Sequence, residues 1–371
     1  MKSKIKIFIM LIFLAMTLAG CKSRSVGSVS GTGFYFDTII SVTVYGTDDQ
    51  NIVNELMDEC RRYEKIFSPT MTDSELYKLN HAVLEGTAAM WPVSEDLYNC
   101  IEKAYKFSKL TDGRYDITVR PVSELWDFKS EDPVVPDESL ISEKLKYVDY
   151  RNIIPRGKWE DWEQMNGTEG KQNTTTGKDS TVYEYRVDIT GGTMIDLGSV
   201  AKGYIGDKLC EYLKDKGYDS AIISLGGNVQ CLGGKLNENG EFENFRVAVK
   251  SPFPESGTDG SSEPYADVLS VKDVAVVTSG IYERCFEKEG KLYHHILDAG
   301  TGYPADNDLA SVTIVAESGF DADILSTVCF LAGYEETVDR LKKAGETGNF
   351  EAEFIYKDGT VRKTEGFDKF F

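Results

Sequence analysis

The chain has 371 residues and carries 61 acidic against 41 basic side chains, which gives a net charge of −20. This length is sufficient to bury a substantial core without disulfide bonds. The acidic balance argues against nucleic acid or an anionic lipid surface as partners, so any polyanionic ligand needs a local cationic pocket or a bridging divalent cation.

The N-terminus has the pattern of a bacterial lipoprotein signal peptide over residues 1–20. Three lysines precede an uncharged apolar stretch, which ends in Leu18-Ala19-Gly20-Cys21. A transmembrane anchor is the alternative, but the stretch is shorter than the roughly 20 residues that span a bilayer. We therefore expect a mature protein that begins at a lipidated Cys21 and is held by this lipid on the extracytoplasmic side of the bacterial cell membrane.

The Ser- and Gly-rich residues 21–33 predict a flexible tether, and residues 34–371 predict one folded unit. Polar stretches near residues 157–181 and 255–263 are typical of surface insertions in this unit. Beyond Cys21 the chain has six cysteines without a close-spaced metal motif. Disulfide bonds and buried free thiols are both open for them.

Apolar periodicity predicts helices and strands that do not alternate regularly along the chain. The predicted helices are residues 50–67, 95–111, 199–216, 322–331 and 335–344. The predicted strands are residues 39–45, 182–187, 221–224, 245–249, 273–278 and 311–316. An irregular order favours an α+β fold, with mixed or antiparallel sheets and packed helices, over a doubly wound sheet.

Two segments could bind a ligand, but each also has an ordinary structural interpretation. In Asp112-Gly113-Arg114-Tyr115-Asp116, followed by Trp126, the aromatic rings could stack on a flat ligand, but such rings more often belong to the core. The paired Gly226 and Gly227 permit either a close approach to a ligand or a tight turn.

The run Asp196-Leu197-Gly198-Ser199-Val200-Ala201-Lys202-Gly203-Tyr204 places a carboxylate, a glycine turn and a lysine at the start of a predicted helix. The unpaired N–H groups of a first helical turn and the positive end of the helix dipole attract anions. We expect a phosphate to bind there beside Lys202. Taken alone the pattern is weak, since glycine and lysine are common at helix starts.

Adjacent histidines, His294 and His295, follow the segment Thr278-Ser279-Gly280-Ile281-Tyr282-Glu283-Arg284. Neighbours on a strand face opposite sides, so at most one of the two is expected to point into a site. A histidine beside a phosphate can act as a base toward a hydroxyl nucleophile. Arg284 and Lys202 are the cationic residues available to line such a pocket.

An acidic turn enters an apolar helix at Asp321 and Asp323, and Gly333 ends that helix. Helical spacing puts Asp323 and Thr327 on one face, with Ser326 beside them. Carboxylate and hydroxyl oxygens suit Mg²⁺. Alternatively, one of the aspartates only caps the helix and Thr327 bonds to its own backbone.

These segments, in this order, resemble the FAD:protein FMN transferases of the ApbE family over nearly the whole mature chain. The family segment before the first helix is represented by Tyr35-Phe36-Asp37-Thr38, where Phe36 and Asp37 replace the usual Met and Gly. The resemblance implies an ApbE-like, T-fold-like α+β fold in which two lobes form one catalytic unit.

The resemblance also implies the roles of individual residues. The metal would be held by the backbone carbonyl of Ser199 and by Asp323 and Thr327, while Lys202 and His295 would be catalytic, with His294 as the outward neighbour of His295. The residues expected to contact FAD are Phe36, Arg114, Tyr115, Asp116, Asp196, Lys202, Gly226, Gly227, Ser279, Gly280, Arg284 and Ile296.

The reaction that the resemblance implies uses Mg²⁺ and FAD. FMN is transferred to a Thr or Ser hydroxyl of an exported or membrane flavoprotein, such as a subunit of a membrane redox pump, and AMP is released. Two alternatives are a Mg²⁺-dependent FAD pyrophosphatase that yields FMN and AMP, and a non-catalytic flavin-binding lipoprotein.

Overall fold

A computed structural model describes residues 27–83, 86–128, 130–158, 185–253, 264–344 and 348–371. The predicted signal peptide, Cys21 and most of the two predicted insertions lie outside these residues. Within the described ranges, no helix combines the length and apolarity that a membrane span requires.

The helices and strands of the described ranges follow one another without regular alternation. The helices are α1 Asn51–Phe67, α2 Glu75–His81, α3 Glu95–Leu110, α4 Arg120–Trp126, α5 Glu138–Lys144, α6 Ala201–Asp215 and α7 Gly319–Ala344. The strands are β1 Ser28–Tyr35, β2 Thr38–Tyr45, β3 Ala88–Val93, β4 Ile153–Lys158, β5 Tyr185–Thr190, β6 Ala221–Leu225, β7 Asn228–Leu232, β8 Lys235–Leu236, β9 Phe242–Glu243, β10 Phe245–Lys250, β11 Tyr265–Val271, β12 Ala275–Gly280, β13 Cys285–Lys288, β14 Lys291–His294, β15 Leu309–Ala316, β16 Phe350–Tyr356 and β17 Val361–Lys363.

An eight-stranded antiparallel sheet is the centre of the fold, with the strand order β1-β2-β6-β7-β12-β15-β16-β17. Alternate residues of β2, such as Ile40 and Val42, face the main core, in which helices α1, α6 and α7 pack against the sheet. The β10–β11 hairpin packs on the opposite face through a smaller apolar cluster that includes Phe245 and Val276. The predicted α+β class with antiparallel sheets is confirmed.

The predicted tether is wrong over residues 28–33, because these residues belong to β1 and pair with β2. Their small side chains serve close packing: a Cβ at Gly31 would lie 2.4 Å from Cγ1 of Val53 on α1. Glycine is therefore required here by the approach of a helix, whereas composition alone indicated flexibility.

Most predicted elements are present with boundaries shifted by one to three residues, and the two predicted C-terminal helices form α7. Gly333 interrupts α7 with a φ of 76°, which agrees with its predicted role as a helix end. Cys60, Cys100, Cys210, Cys231, Cys285 and Cys329 are free thiols, which settles the question that their spacing left open.

One end of the large sheet collects the segments that the sequence singled out. The two-residue turns Phe36-Asp37 and Gly226-Gly227 join β1 to β2 and β6 to β7, and the register of the strands brings the end of β12 at Gly280 to this same side. Helices α6 and α7 contact each other, and α7 packs against β12. This end of the sheet is where a site must be sought.

Candidate functional site

Two helices cross at this end of the sheet, and their contact places a carboxylate against the start of α6. The backbone N–H of Gly203 donates to Oδ2 of Asp323, on α7, over 2.9 Å. A Cβ at Gly203 would lie 2.0 Å from the backbone oxygen of Gly319 and 2.7 Å from Cβ of Asp323, so only glycine allows this approach. Asp323 is 3% exposed and bonds across to α6, so it does not serve as a cap of its own helix.

The start of α6 consequently differs from the predicted phosphate site. Val200 and Ala201 donate their N–H groups to the backbone oxygen of Leu197, and Gly203 donates to Asp323. The expected phosphate position at these N–H groups is therefore wrong, because a carboxylate of the protein already takes the favourable place at the helix start.

Lys202 lies between the loop before α6 and the buried carboxylate. Its Nζ donates to the backbone oxygen of Gly198 over 2.6 Å and is 3.8 Å from Oδ1 of Asp323. The second distance is an ion-pair contact and is too long for a hydrogen bond. The ammonium group is thus held beside Asp323 while one quarter of the side chain stays exposed.

Three hydroxyl groups form a cluster beside the turn of α7 that follows Asp323. Oγ of Ser279, at the end of β12, is 2.8 Å from Oγ of Ser326 and 3.4 Å from Oγ1 of Thr327. Ser326 also donates to the backbone oxygen of Asp323 over 2.8 Å. The predicted Asp323, Ser326 and Thr327 face therefore meets Ser279, from a segment that sequence reasoning had treated separately.

The donor set around Asp323 fits a hard cation. Its atoms are Oδ1 of Asp323, which lies 3.8 Å from Nζ of Lys202, and the hydroxyl oxygens of Ser279, Ser326 and Thr327; carboxylate and hydroxyl oxygens are ligand types that suit Mg²⁺. No cluster of three or more His, Cys, Asp or Glu side chains suited to a metal occurs in the described ranges. A single carboxylate agrees with Mg²⁺, which usually keeps several waters and also binds substrate phosphates.

The aromatic segment after α3 is structural and supports the loop before α6. Tyr115 is 3% exposed, and its hydroxyl lies 3.0 Å from Oγ of Ser199. Trp126 is fully buried and donates from Nε1 to the backbone oxygen of Gly302. Both rings are core residues, so the alternative of a stacking platform is wrong for them.

Asp116 and Asp196 have different surroundings. Oδ1 of Asp116 accepts from the N–H and hydroxyl of Thr118, and Oδ2 accepts from the N–H of Tyr150, so this buried carboxylate is engaged by the protein itself. Burial raises the pKa of Asp116 above its ordinary value. Asp196 is partly exposed, accepts from the N–H of Gly198 over 2.8 Å and lies 3.4 Å from Arg120.

The two histidines occupy different environments. His294 is buried and packs against Phe330, and its Nε2 lies 3.2 Å from the backbone oxygen of Ala305; the expectation that it points outward is therefore wrong. Burial and then the charge of Arg284, with a further contribution from Lys202, lower the pKa of His295 to about 3. Among the described residues, Nδ1 of His295 has no hydrogen-bond partner.

The remaining predicted FAD contacts lie around this centre at varying distances. Phe36, at a φ of 54°, and the turn Gly226-Gly227 lie between one and four strands from β12, which corresponds to at most about 19 Å. Gly280 and Ile296 are buried, whereas Arg284 is exposed and its backbone oxygen accepts from the N–H of His295. The structure gathers these contacts along one end of the sheet.

A cavity of about 480 Å³ opens beside α7. The turn that carries Arg114 lines one side, and the turn with Asp298 and Gly300, shortly after His295, lines another. Apolar residues of α7, among them Val328, complete the wall. A space of this size is adequate for part of a dinucleotide.

Sequence reasoning missed Asp207, which connects the two helices of the site. Its carboxylate accepts from the N–H groups of Gly319 and Phe320 and from the hydroxyl of Ser318, at 2.7, 3.1 and 2.8 Å. The available signal was helical spacing: Asp207 follows Gly203 by four residues and shares its face of α6. A charged residue on a packed helix face requires a partner.

The architecture and the oxygen-lined site define an α+β protein of the kind seen in solved ApbE structures. The ApbE protein of Thermotoga maritima superposes with a TM-score of 0.73 at 29% identity, covering 93% of this chain and 99% of that one. Flavin transferase ApbE from Vibrio cholerae, at 22% identity and a TM-score of 0.71, supports the fold.

The chain belongs to the ApbE family, whose model matches residues 36–352. A FAD:protein FMN transferase of Treponema pallidum (strain Nichols) is 30% identical over 365 residues, which cover 96% of this chain and 92% of the relative. One from Klebsiella pneumoniae (strain 342) is 28% identical over 315 residues, or 84% of each chain. The resemblance inferred from the motifs is thereby confirmed.

Proposed function

We propose that this protein is a metal-dependent FAD:protein FMN transferase, which cleaves FAD and attaches FMN through a phosphoester bond to a Thr or Ser hydroxyl of an acceptor protein. The proposal rests on one observation above all: Lys202 lies beside the buried Asp323, and the α7 face that carries Asp323 contacts the hydroxyl of Ser279 through Ser326 and Thr327. Relatives that align with nearly the whole chain carry this enzyme name.

Proton removal and charge neutralisation during the transfer are assigned to different residues. Transfer requires the acceptor oxygen to attack the phosphorus of the FMN half, the bond to the AMP oxygen to break, and the hydroxyl proton to leave. His295 takes that proton, and AMP departs with the bond electrons. Lys202 balances negative charge on the diphosphate, and Mg²⁺, held by Asp323, Thr327 and the carbonyl of Ser199, would supply further charge neutralisation.

The low pKa of His295 fits a base that is prepared by its substrate. Without a ligand, burial and the charges of Arg284 and Lys202 keep the ring neutral, so it can accept a proton but is a weak base. A diphosphate bound beside those cations offsets their charge and raises the pKa of His295. Basicity therefore increases once FAD is in place.

The test is mass spectrometry of a Thr-containing acceptor protein after incubation with the protein, FAD and Mg²⁺. Under the proposal, the acceptor gains the mass of the FMN group and an equal amount of AMP is released. EDTA stops both events, and added Mg²⁺ restores them. A chain that leaves FAD intact under these conditions would refute the proposal.

The same experiment separates two other functions. Free FMN with AMP, and no mass gain on the acceptor, would identify a FAD pyrophosphatase in which water replaces the protein hydroxyl. Binding of FAD without release of AMP would identify a flavin-binding lipoprotein. The cluster of Lys202 beside Asp323 favours catalysis over mere binding, because charge neutralisation at a diphosphate promotes its cleavage.

The proposed location follows from the N-terminal sequence. The lipobox-like Leu18-Ala19-Gly20-Cys21 supports lipidation of Cys21 and anchoring at the extracytoplasmic face of the bacterial membrane, where acceptors would be exported or membrane flavoproteins. A Cys21→Ala variant should move from the membrane fraction to the soluble or unprocessed fraction. If the Cys21→Ala variant is processed and still associates with the membrane as strongly as the wild-type chain, lipid anchoring is contradicted.

A further inference from the structure

Hydrogen bonds hold the crossing of α6 and α7 together at two points, one helical turn apart. At the first point, Asp323 of α7 accepts from the N–H of Gly203 in α6. At the second, Asp207 of α6 accepts from the N–H groups of Gly319 and Phe320 at the start of α7. Each helix thus supplies a carboxylate to the backbone of the other.

The spacing of these contacts gives them a geometric consequence. Gly203 and Asp207 are four residues apart in α6, and Gly319 and Asp323 are four residues apart in α7, which corresponds to about 6 Å along each axis. One contact alone would fix the distance between the helices and leave them free to rotate. Two contacts also fix the rotation, and with it the direction of the Asp323 carboxylate.

Asp207 is well suited to hold this geometry. Its two oxygens receive three donors, because Ser318 adds a hydroxyl contact over 2.8 Å. The N–H groups of Gly319 and Phe320 belong to a helix start, where they have no intrahelical partner. Removal of the carboxylate would leave these donors without their acceptor, and the first turn of α7 would lose its attachment to α6.

We infer that Asp207 is a positioning residue for the metal site: it orients the Asp323 carboxylate by capping α7 from α6, without contact with the cation or substrate. This inference rests on the proposed metal-dependent function. Groups that orient metal ligands typically change metal affinity by about 10- to 100-fold when they are removed. Asp207 should therefore affect the response to Mg²⁺ more than the rate at saturating Mg²⁺.

The experiment compares Asp207→Ala with the wild-type chain in two measurements. Isothermal titration calorimetry with Mg²⁺ alone should show an affinity reduced by about 10- to 100-fold, and the Mg²⁺ concentration for half-maximal turnover should rise to match. The turnover number at saturating Mg²⁺ should stay within about threefold. Asp207→Asn, which retains one oxygen acceptor, should give an intermediate Mg²⁺ affinity.

Glu211→Ala is the matched control, because Glu211 lies one turn further along α6 and pairs with Lys208. It should leave the Mg²⁺ response unchanged. If Asp207→Ala does not fold, Asp207→Asn and Ser318→Ala provide the same comparison with fewer lost contacts. An unchanged Mg²⁺ affinity in the folded variants would overturn the inference, whereas a wild-type chain that shows neither Mg²⁺ binding nor Mg²⁺-dependent turnover would overturn the proposed function.

Discussion

Single residues show how position decides the chemistry of identical side chains. His294 and His295 are adjacent, yet one ring is buried against Phe330 and the other lies in the field of Arg284 and Lys202. Burial lowers the pKa of His294 to about 4 and that of His295 to about 3. Both rings are consequently neutral at physiological pH, and only His295 has the surroundings of a base.

The pH dependence of transfer should show that the His295 ring is neutral in the free enzyme. Because the free-enzyme pKa of His295 is about 3, the ring is already deprotonated at pH 5, and kcat/KM should show no inflection near the ordinary histidine value of 6.5. We expect this from initial rates measured between about pH 5 and pH 8. An inflection near 6.5 that is lost in a His295 variant would contradict it.

Removal of the base should separate catalysis from binding. His295→Ala should lower the rate of transfer by about 10²- to 10⁴-fold, because it removes the proton acceptor, while FAD still binds. The measurements are acceptor modification and the flavin fluorescence change on binding. His81→Ala alters an exposed histidine on α2 and should retain full activity. Normal flavinylation by His295→Ala would refute its assignment as base.

Among the elements, helices α6 and α7 determine the site through their close crossing. Glycine spacing in α6 marks this crossing, since Gly203 faces α7 and Gly206 faces the side chains of Leu225 and Gln230. The sequence identified both helices, but the contact between them depends on backbones that are far apart in the chain. Only the assembled helices show that Asp323 reaches Gly203.

Two substitutions in one helix should have opposite effects. Gly203→Ala places a methyl group 2.0 Å from a backbone oxygen of α7 and should destabilise the fold by about 1–3 kcal/mol. Gly206→Ala places it at 3.4 Å from Leu225, an ordinary contact, and should be neutral or stabilise by up to about 1 kcal/mol through helix propensity. Urea unfolding gives both values.

The change in the Mg²⁺ response of each variant should parallel the change in its free energy of unfolding. Gly203→Ala should also weaken the response to Mg²⁺, because a wider crossing moves Asp323 away from Lys202, whereas Gly206→Ala should not. Equal stabilities of the two variants would contradict the close approach of α6 and α7.

At the scale of the whole molecule, a buried carboxyl on the far side of the sheet should make stability depend on pH. Glu353 on β16 is fully buried, and Nζ of Lys363 lies 3.1 Å from its Oε2 and 3.2 Å from Oδ2 of Asp267. Burial, followed by the nearby carboxyl of Asp267, raises the pKa of Glu353 above its ordinary value of 4.5.

The sign of the effect follows from proton uptake. Above about pH 4.5 the folded state holds a proton on Glu353 that the unfolded state releases, so the free energy of unfolding decreases as pH rises through this range, by up to about 1.4 kcal/mol per pH unit. Glu353→Gln should flatten this dependence in urea unfolding. The exposed Glu335→Gln should not change it, and an unaltered slope in Glu353→Gln would contradict the prediction.

The free cysteines give a second test on the whole molecule. Five of the six described cysteines are buried, and burial raises the pKa of Cys60 and of Cys231 to about 12, which keeps these thiols protonated and unreactive. A reducing agent should therefore leave the melting temperature unchanged. A lower melting temperature after reduction would indicate a disulfide bond.

Much of the organisation could be predicted from local sequence. Apolar periodicity identified the principal helices, and Gly333 was recognised as a helix end. The ordered motifs identified the family, because they record the residues themselves and do not depend on how the chain packs. Local composition was misleading for residues 28–33, where glycine serves close packing against α1.

Only the tertiary structure decided which predicted residues work together. A sequence pattern gives the face of a helix on which Asp323 and Thr327 lie, but the partner of that face comes from elsewhere in the chain: Gly203 and Lys202 from α6, and Ser279 from β12. The anchoring role of Asp207 and the burial of His294 likewise arise from contacts between distant segments. Local spacing determines the direction of a side chain relative to its own element, whereas packing between elements determines what that side chain meets.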